Sequence, residues 1–275
     1  MESGGPVAYY REFAPCEALA GSVRAFFSCT TSAGGFADRS MTREEPVRAF
    51  CPQVIADGHV SWVVAIGAVD GEAIGPMTAA RPATPGPSRG AVGVCFRAAA
   101  AGRFTGIPAS EFTDRVAPLA DLWGRGATEL SARIAEAPDD GVRIGMLESA
   151  LVPFLAKERR PATSVDVPGL AAWVSRTSGQ VTVQDLAEAA GVSRQRLTRV
   201  FRESVGLSPK QYCRLVRFRA ALTGGSRSDG ADWAQVAGEL GYCDQSHMIA
   251  EFRQFSGLTP GALASRTFFH PFLKR

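Results

Sequence analysis

The chain has 275 residues, 45% hydrophobic and 21% charged, with a net charge of +3. That length suggests about two domains, and the apolar content excludes a chain disordered by composition. No apolar run approaches the roughly 18 residues of a membrane-spanning helix. The opening MESGGPVAYYREF lacks a basic start followed by an apolar core, so no secretory signal is predicted and a soluble, cytoplasmic protein is expected. The six cysteines (Cys16, Cys29, Cys51, Cys95, Cys213 and Cys243) include no CxxC pair, and there are three histidines. Zinc knuckles and disulfide frameworks are therefore not expected, nor is any metal or other cofactor. Reduced thiols serving as small apolar side chains are the simpler reading.

The first part of the chain reads as strands and turns. RAFFSCT (24–30) is a short aromatic run, and Asp57-Gly58 makes a turn before the apolar strand Val60–Ile66. RPATPGPSRG (81–90) is a loop and AVGVCFR (91–97) another strand. The expectation for 1–125 is a mainly-β domain, a small barrel or sandwich. A helical period then takes over. Leu130 and Ile134 are four apart, and after Asp139-Asp140 come Ile144, Leu147, Leu151, Phe154 and Leu155. Two amphipathic helices over 126–160 suit either core packing or a dimer surface. KERRPATSVDVPG (157–169), charged and holding two prolines, reads as a linker to a C-terminal all-α region, 161–275. The fold class expected is α+β.

That last region contains a repeat. LAEAAGVSRQRLTRVFRESVGLSP (186–209) aligns with VAGELGYCDQSHMIAEFRQFSGLTP (236–260), pairing Gly191 with Gly241, Ser193 with Asp244, Leu197 with Met248, Phe201 with Phe252, Gly206 with Gly257 and Pro209 with Pro260. Each unit has the grammar of a helix-turn-helix: a capped apolar helix, a glycine turn, a capped second helix and a closing glycine. In the first, Thr182 and Ser193 are the predicted caps, and Ser208-Pro209 starts the following helix. In the second, Asp244 is the predicted cap. This disposes of Cys243, Asp244 and His247 as a reactive cluster: a turn, a cap and a helix surface are simply adjacent. The helix between the units, Pro209–Leu222, is about 21 Å long. It can set two recognition helices near one DNA turn apart, about 34 Å.

Charge agrees. Residues 1–160 hold 16 bases against 18 acids, and 161–275 hold 14 against 9. Arg194, Arg196, Arg199, Arg202, Lys210, Arg214, Arg217 and Arg219 lie within 26 positions that contain one acid, Glu203. That is the footprint of a polyanion partner.

At these residues the chain resembles the AraC/XylS family of transcription regulators, over about 165–265. GYCDQSHMIAEFRQFSGLTP is similar to that family's C-terminal signature. The resemblance implies a seven-helix domain with two helix-turn-helix units, promoter binding, and contact with RNA polymerase, most often as an activator. YREFAP (10–15), ADGHVSWVV (56–64) and the segment 93–124 resemble a poorly characterised, cupin-like sensor domain of such regulators. There the β domain binds an effector and the following helices often pair two subunits. The chain departs from the pattern at Cys95, at Ala98-Ala99, and at Ile249-Ala250-Glu251, which weakens hydrogen-bonded base reading and puts a Glu near phosphates.

The expected base contacts are Arg194, Gln195, Thr198 and Arg199 in the first unit and Gln245, Ser246, His247 and Ile249 in the second. Arg pairs bidentately with guanine and Gln with adenine, while Ile can touch a thymine methyl. Arg202, Lys210, Arg214 and Arg253 suit phosphates. For the unknown small-molecule effector, His59, Trp62 and Cys95 are candidates, with core packing the simpler role for Trp62. A rival reading makes Cys29, Cys51 and Cys95 a thiol or soft-metal sensor. No Ser/His/Asp order, phosphate loop or acid pair supports an enzyme.

Overall fold

The structure is a computed structural model and describes residues 8–30, 41–47, 53–82, 90–156, 164–225 and 232–264. Its strands are β1 (Ala8–Phe13), β2 (Val23–Thr30), β3 (Met41–Val47), β4 (Gln53–Val54), β5 (Ser61–Ala65), β6 (Glu72–Ile74), β7 (Arg81–Pro82), β8 (Ala91–Phe96) and β9 (Val116–Pro118). Seven form one antiparallel sheet in the order β3-β1-β2-β8-β5-β6-β9, while β4 pairs with β7. The strands expected at 24–30, 60–66 and 91–97 are β2, β5 and β8.

Short helices α1 (Gly102–Thr105) and α2 (Ala120–Trp123) precede α3 (Arg125–Glu136) and α4 (Asp140–Leu155). Asp139 caps α4 by accepting from Val142 N at 2.9 Å. The apolar stripes of α3 and α4 cover one face of the sheet. Leu130, Ile134, Ile144, Leu147 and Leu151 share a core with Phe26, Trp62, Val94 and Phe96. Of the two readings for 126–160, core packing accounts for these residues, and Val142 and Val152 remain at the surface. An ion pair ties the helices to β1: Arg11 donates to Asp140 at 3.1 Å with both side chains buried, and Arg143 donates to Asp140 at 2.9 Å.

The C-terminal region, among the described residues, holds seven helices: α5 (Val167–Arg176), α6 (Val183–Ala189), α7 (Arg194–Val205), α8 (Pro209–Gly225), α9 (Trp233–Glu239), α10 (Gln245–Ser256) and α11 (Pro260–Ala264). Helix α5 starts inside the segment read as a linker, because Asp166 caps it by accepting from Gly169 N at 3.0 Å and Pro168 sits in its first turn. Residues 157–163 lie outside the described residues. None of the described helices is long and apolar enough to cross a membrane.

One apolar core joins the two regions. Ile55, Ala56 and Met77 from the β region are buried with Leu207, Tyr212, Leu215 and Phe255. Backbone bonds add to it: Ala56 N donates to Phe255 O at 2.8 Å and Ala80 N to Gln254 O at 2.9 Å.

Candidate DNA interface

The two repeats fold alike for local reasons. Thr182 and Asp185 make a reciprocal capping box on α6 at 3.1 and 3.0 Å. Gly191 and Gly241 turn the chain at φ +63° and +70°, in the left-handed region that glycine tolerates. Ser193 then caps α7 by accepting from Arg196 N at 3.2 Å, and Asp244 caps α10 by accepting from His247 N at 2.7 Å. Both helices close on a left-handed glycine, Gly206 and Gly257. Buried Leu197, Val200, Phe201 and Val205 hold α7 down, as Met248, Phe252 and Phe255 hold α10.

The opposite face of α7 is exposed and basic. Gln195, Thr198, Arg199 and Arg202 recur at intervals of three and four and therefore share one side. With Arg194, Glu203 and Ser110 from the β region they line an open cleft of about 600 Å³. The structure thus brings the whole expected first set together. The Thr198 hydroxyl donates to Arg194 O at 2.8 Å, which fixes its methyl and leaves the oxygen free to accept. Arg196, exposed beside the cap, belongs to this surface although the sequence reading gave it no contact. Its signal was its position in the first helical turn, where backbone N–H groups and the dipole already favour an anion.

Helix α10 differs. Gln245 and Ser246 are exposed, Ile249 and His247 are partly so, and the His247 ring leans toward Glu251. Its Nε2 lies 3.7 Å from the Glu251 carboxylate, its Nδ1 is shielded from solvent, and its ring packs edge-on to Tyr242. His247 thus divides its ring between the helix surface and the Glu251 carboxylate. Glu251 does not lie near phosphates. It is 2% exposed, and Arg214 Nε donates to it at 2.6 Å. Burial, followed by the Glu251 charge, drives the Tyr242 hydroxyl well above the usual tyrosine range.

This also changes the phosphate set. Arg202, Lys210 and Arg253 are exposed as expected. Arg214 is only partly exposed and already engaged: besides Glu251 it donates to Gln254 at 2.8 Å and lies over the Phe255 ring. Arg217 donates to Gly179 O at 3.0 Å and covers Tyr242. Arg219 contacts His59 at 2.9 Å. Arginine can only donate, so His59 Nε2 accepts and the proton of the neutral ring sits on Nδ1. The basic side chains left exposed on these helices are Arg194, Arg196, Arg199, Arg202, Lys210 and Arg253.

The three effector candidates separate. Register pairs Ser61 with Cys95 and Trp62 with Val94, and successive residues of a strand alternate faces. Trp62 therefore joins the helix-covered aromatic core, 4.9 Å from Phe96 and 4.4 Å from Trp123. Cys95 lies on the other face with Tyr10 and Phe27. His59 sits where the two regions meet, beside the buried Asp57. Burial pushes the Asp57 carboxyl up to about 6, against the pull of Arg219. Burial in turn brings the Arg219 guanidinium down to about 10.

The thiol reading gains nothing here. Burial, above all, raises Cys29 to about 11 and Cys95 to about 12, so both stay protonated and poorly reactive. Cys29 pairs with Ala91 and Cys95 with Ala25. That is four positions along the sheet, about 13 Å at strand rise, too far for a disulfide. Cys51 lies outside the described residues.

Comparison with known proteins falls on the same residues. Residues 186–266 match a family described as a helix-turn-helix domain, and residues 11–118 match a domain of unknown function, DUF6597. Over 81 residues the chain is 38% identical to a protein of Streptomyces antibioticus described as an AraC-like transcription regulator. It is 37% identical to one of Streptomyces lividans described in the same words. Those matches cover 29% of this chain and 26% of either relative. Among solved structures, the C-terminal domain of AraT, a response regulator from Geobacillus stearothermophilus, has 18% identity and a TM-score of 0.33, with 40% of this chain and 98% of that one covered. ToxT of Vibrio cholerae has 10% identity and a TM-score of 0.41, with 78% and 94% covered. Neither superposition is close enough to carry an inference.

Proposed function

We propose that this chain, whose C-terminal helix-turn-helix domain is similar to that of AraC-like regulators, is a sequence-specific, effector-responsive regulator of transcription, acting chiefly as an activator. The observation that carries this reading is the face of α7. Arg194, Gln195, Thr198 and Arg199 stand together on a capped helix whose other side is buried. Such a helix enters the major groove and reads base edges with these side chains. Gln245, Ser246 and Ile249 give α10 a second, less basic reading surface. Arg202, Lys210 and Arg253 anchor phosphates and fix register.

Residues 1–125 form the effector-sensing unit, 126–160 the helices that can pair two copies, and 161–275 the promoter-binding unit, which also meets RNA polymerase. Of the sensor candidates, His59 is best placed to transmit a signal, because its partner Arg219 lies on α8, between the two reading helices. The regulator works on cytoplasmic DNA and needs no cofactor.

The test is selection of bound duplexes from a randomised library with the full chain. Two preferred sequence blocks about one helical turn apart are expected. A single block, or binding without preference, contradicts the reading.

A further inference from the structure

Two loops of the β region lie across the ends of both reading helices. The first follows β6 and runs from Gly75 to Ala80. The second runs from Ala109 to Asp114. They are locked to each other. Thr78 donates to Asp114 twice, from N and from Oγ1, both at 2.7 Å, and Asp114 N donates to Pro76 O at 3.0 Å. Gly75 N donates to Arg115 O at 2.9 Å, and a Cβ on Gly75 would meet Phe112 O at 1.8 Å, so the backbones touch there.

Each loop then grips one helix-turn-helix unit. The second loop takes the first unit at the end of α7. Thr113 Oγ1 donates to Gly206 O at 2.5 Å, and a Cβ on Gly206 would stand 2.9 Å from Ala109 O. The first loop takes the second unit at the end of α10. Gln254 Nε2 donates to Thr78 O at 3.1 Å, and Ala80 N donates to Gln254 O. Met77, 4% exposed, is buried in the core that contains Leu207, just past α7, and Phe255, in the last turn of α10.

We infer that these two loops form a clamp by which the β region fixes the angle and spacing of the two reading helices. This interaction surface lies within the chain, and its partner is the pair of helix C-termini. Asp114 and Gly75 are its rivets, since they join the jaws while touching neither reading face. Asp114 has φ +58°, so glycine can replace it without backbone strain while removing the carboxylate.

The clamp can be tested without DNA, which separates it from the functional reading on which its purpose rests. Spin labels are placed at Arg196→Cys and Ala250→Cys in full chain with Cys16, Cys29, Cys51 and Cys243 replaced by serine, and the distance is measured by double electron–electron resonance. The parent is expected to give one narrow distance, broadened or shifted by Asp114→Gly and by Gly75→Ala. A thermal melt confirms folding, and Asp114→Gly carries the test if Gly75→Ala does not fold. An unchanged distribution in folded Asp114→Gly overturns the clamp.

A second arm uses unlabelled chain and two duplexes from the library selection, one with both sequence blocks and one with only the first. Asp114→Gly is expected to lose about tenfold in affinity for the two-block duplex, because the second contact is no longer pre-aligned. One-block binding stays unchanged. A broadened distance with an unchanged affinity ratio overturns the role of the clamp in reading DNA.

Discussion

The two helix-turn-helix units share turns, caps and buried faces, yet present different chemistry. On α7 Gln195, Arg199 and Arg202 are exposed at helical spacing, with Thr198 partly exposed among them. On α10 the histidine of the reading helix faces a buried glutamate, and that glutamate holds an arginine from α8. Repetition of a fold fixes where side chains can go, and burial then decides which of them can read. In the proposed function the first unit is therefore the principal reader, and the second, tied inward through His247 and Glu251, contributes fewer hydrogen bonds to bases.

The sharpest way to break this comparison is to attack what the units have in common. Phe201→Ala and Phe252→Ala, each removing a fully buried ring, are expected to destabilise the chain by about 3–5 kcal/mol alike. Urea unfolding checks this, and a mild effect at one site would mean the units are not equivalent in packing. The next effect separates two arginines of one basic run. Arg214→Ala removes the strongest partner of the buried Glu251 carboxylate, leaving it the more distant His247, and is expected to cost about 3 kcal/mol. Arg202→Ala changes stability by less than about 0.5 kcal/mol.

Asp57 sharpens the contrast between the reading surface and the interior junction. Its folded-state value of about 6 lies above the ordinary 3.8, so the folded state keeps a proton that the unfolded chain releases. This contribution is complete below pH 4 and is lost as the pH rises through 6. The stability of Asp57→Asn relative to the parent should therefore rise between pH 4 and 7, by no more than about 3 kcal/mol. A difference that is flat with pH would contradict the burial of that carboxyl. The smallest effect is again at Arg202, whose replacement should lower the salt slope of DNA binding by about one without altering sequence preference.

Much of this was legible before any coordinates, for reasons that differ by residue. Ser193, Asp244, Gly191 and Gly241 act within a few positions of chain, so capping and turn chemistry reveal them. Trp62 was readable as core, since its strand alternation and size favour burial. Arg214, Arg217 and Arg219 were not readable, because each is taken up by a partner distant in sequence: Glu251, Gly179 and His59. The tie of His247 to Glu251 was hidden for the related reason that Glu251, one turn further along the same helix, is buried by tertiary packing. The joined core of Met77, Leu207 and Phe255, and the clamp beside it, depend wholly on tertiary placement.

The most direct test of the central claim compares Arg199→Ala with Gln245→Ala on the selected two-block duplex and on duplexes substituted in either block. Arg199→Ala is expected to weaken binding by about 1–3 kcal/mol and to abolish preference at one position of the first block. Gln245→Ala should have a smaller effect, confined to the second block. Unchanged affinity and unchanged preference for Arg199→Ala would contradict the assignment of α7 as the principal reader.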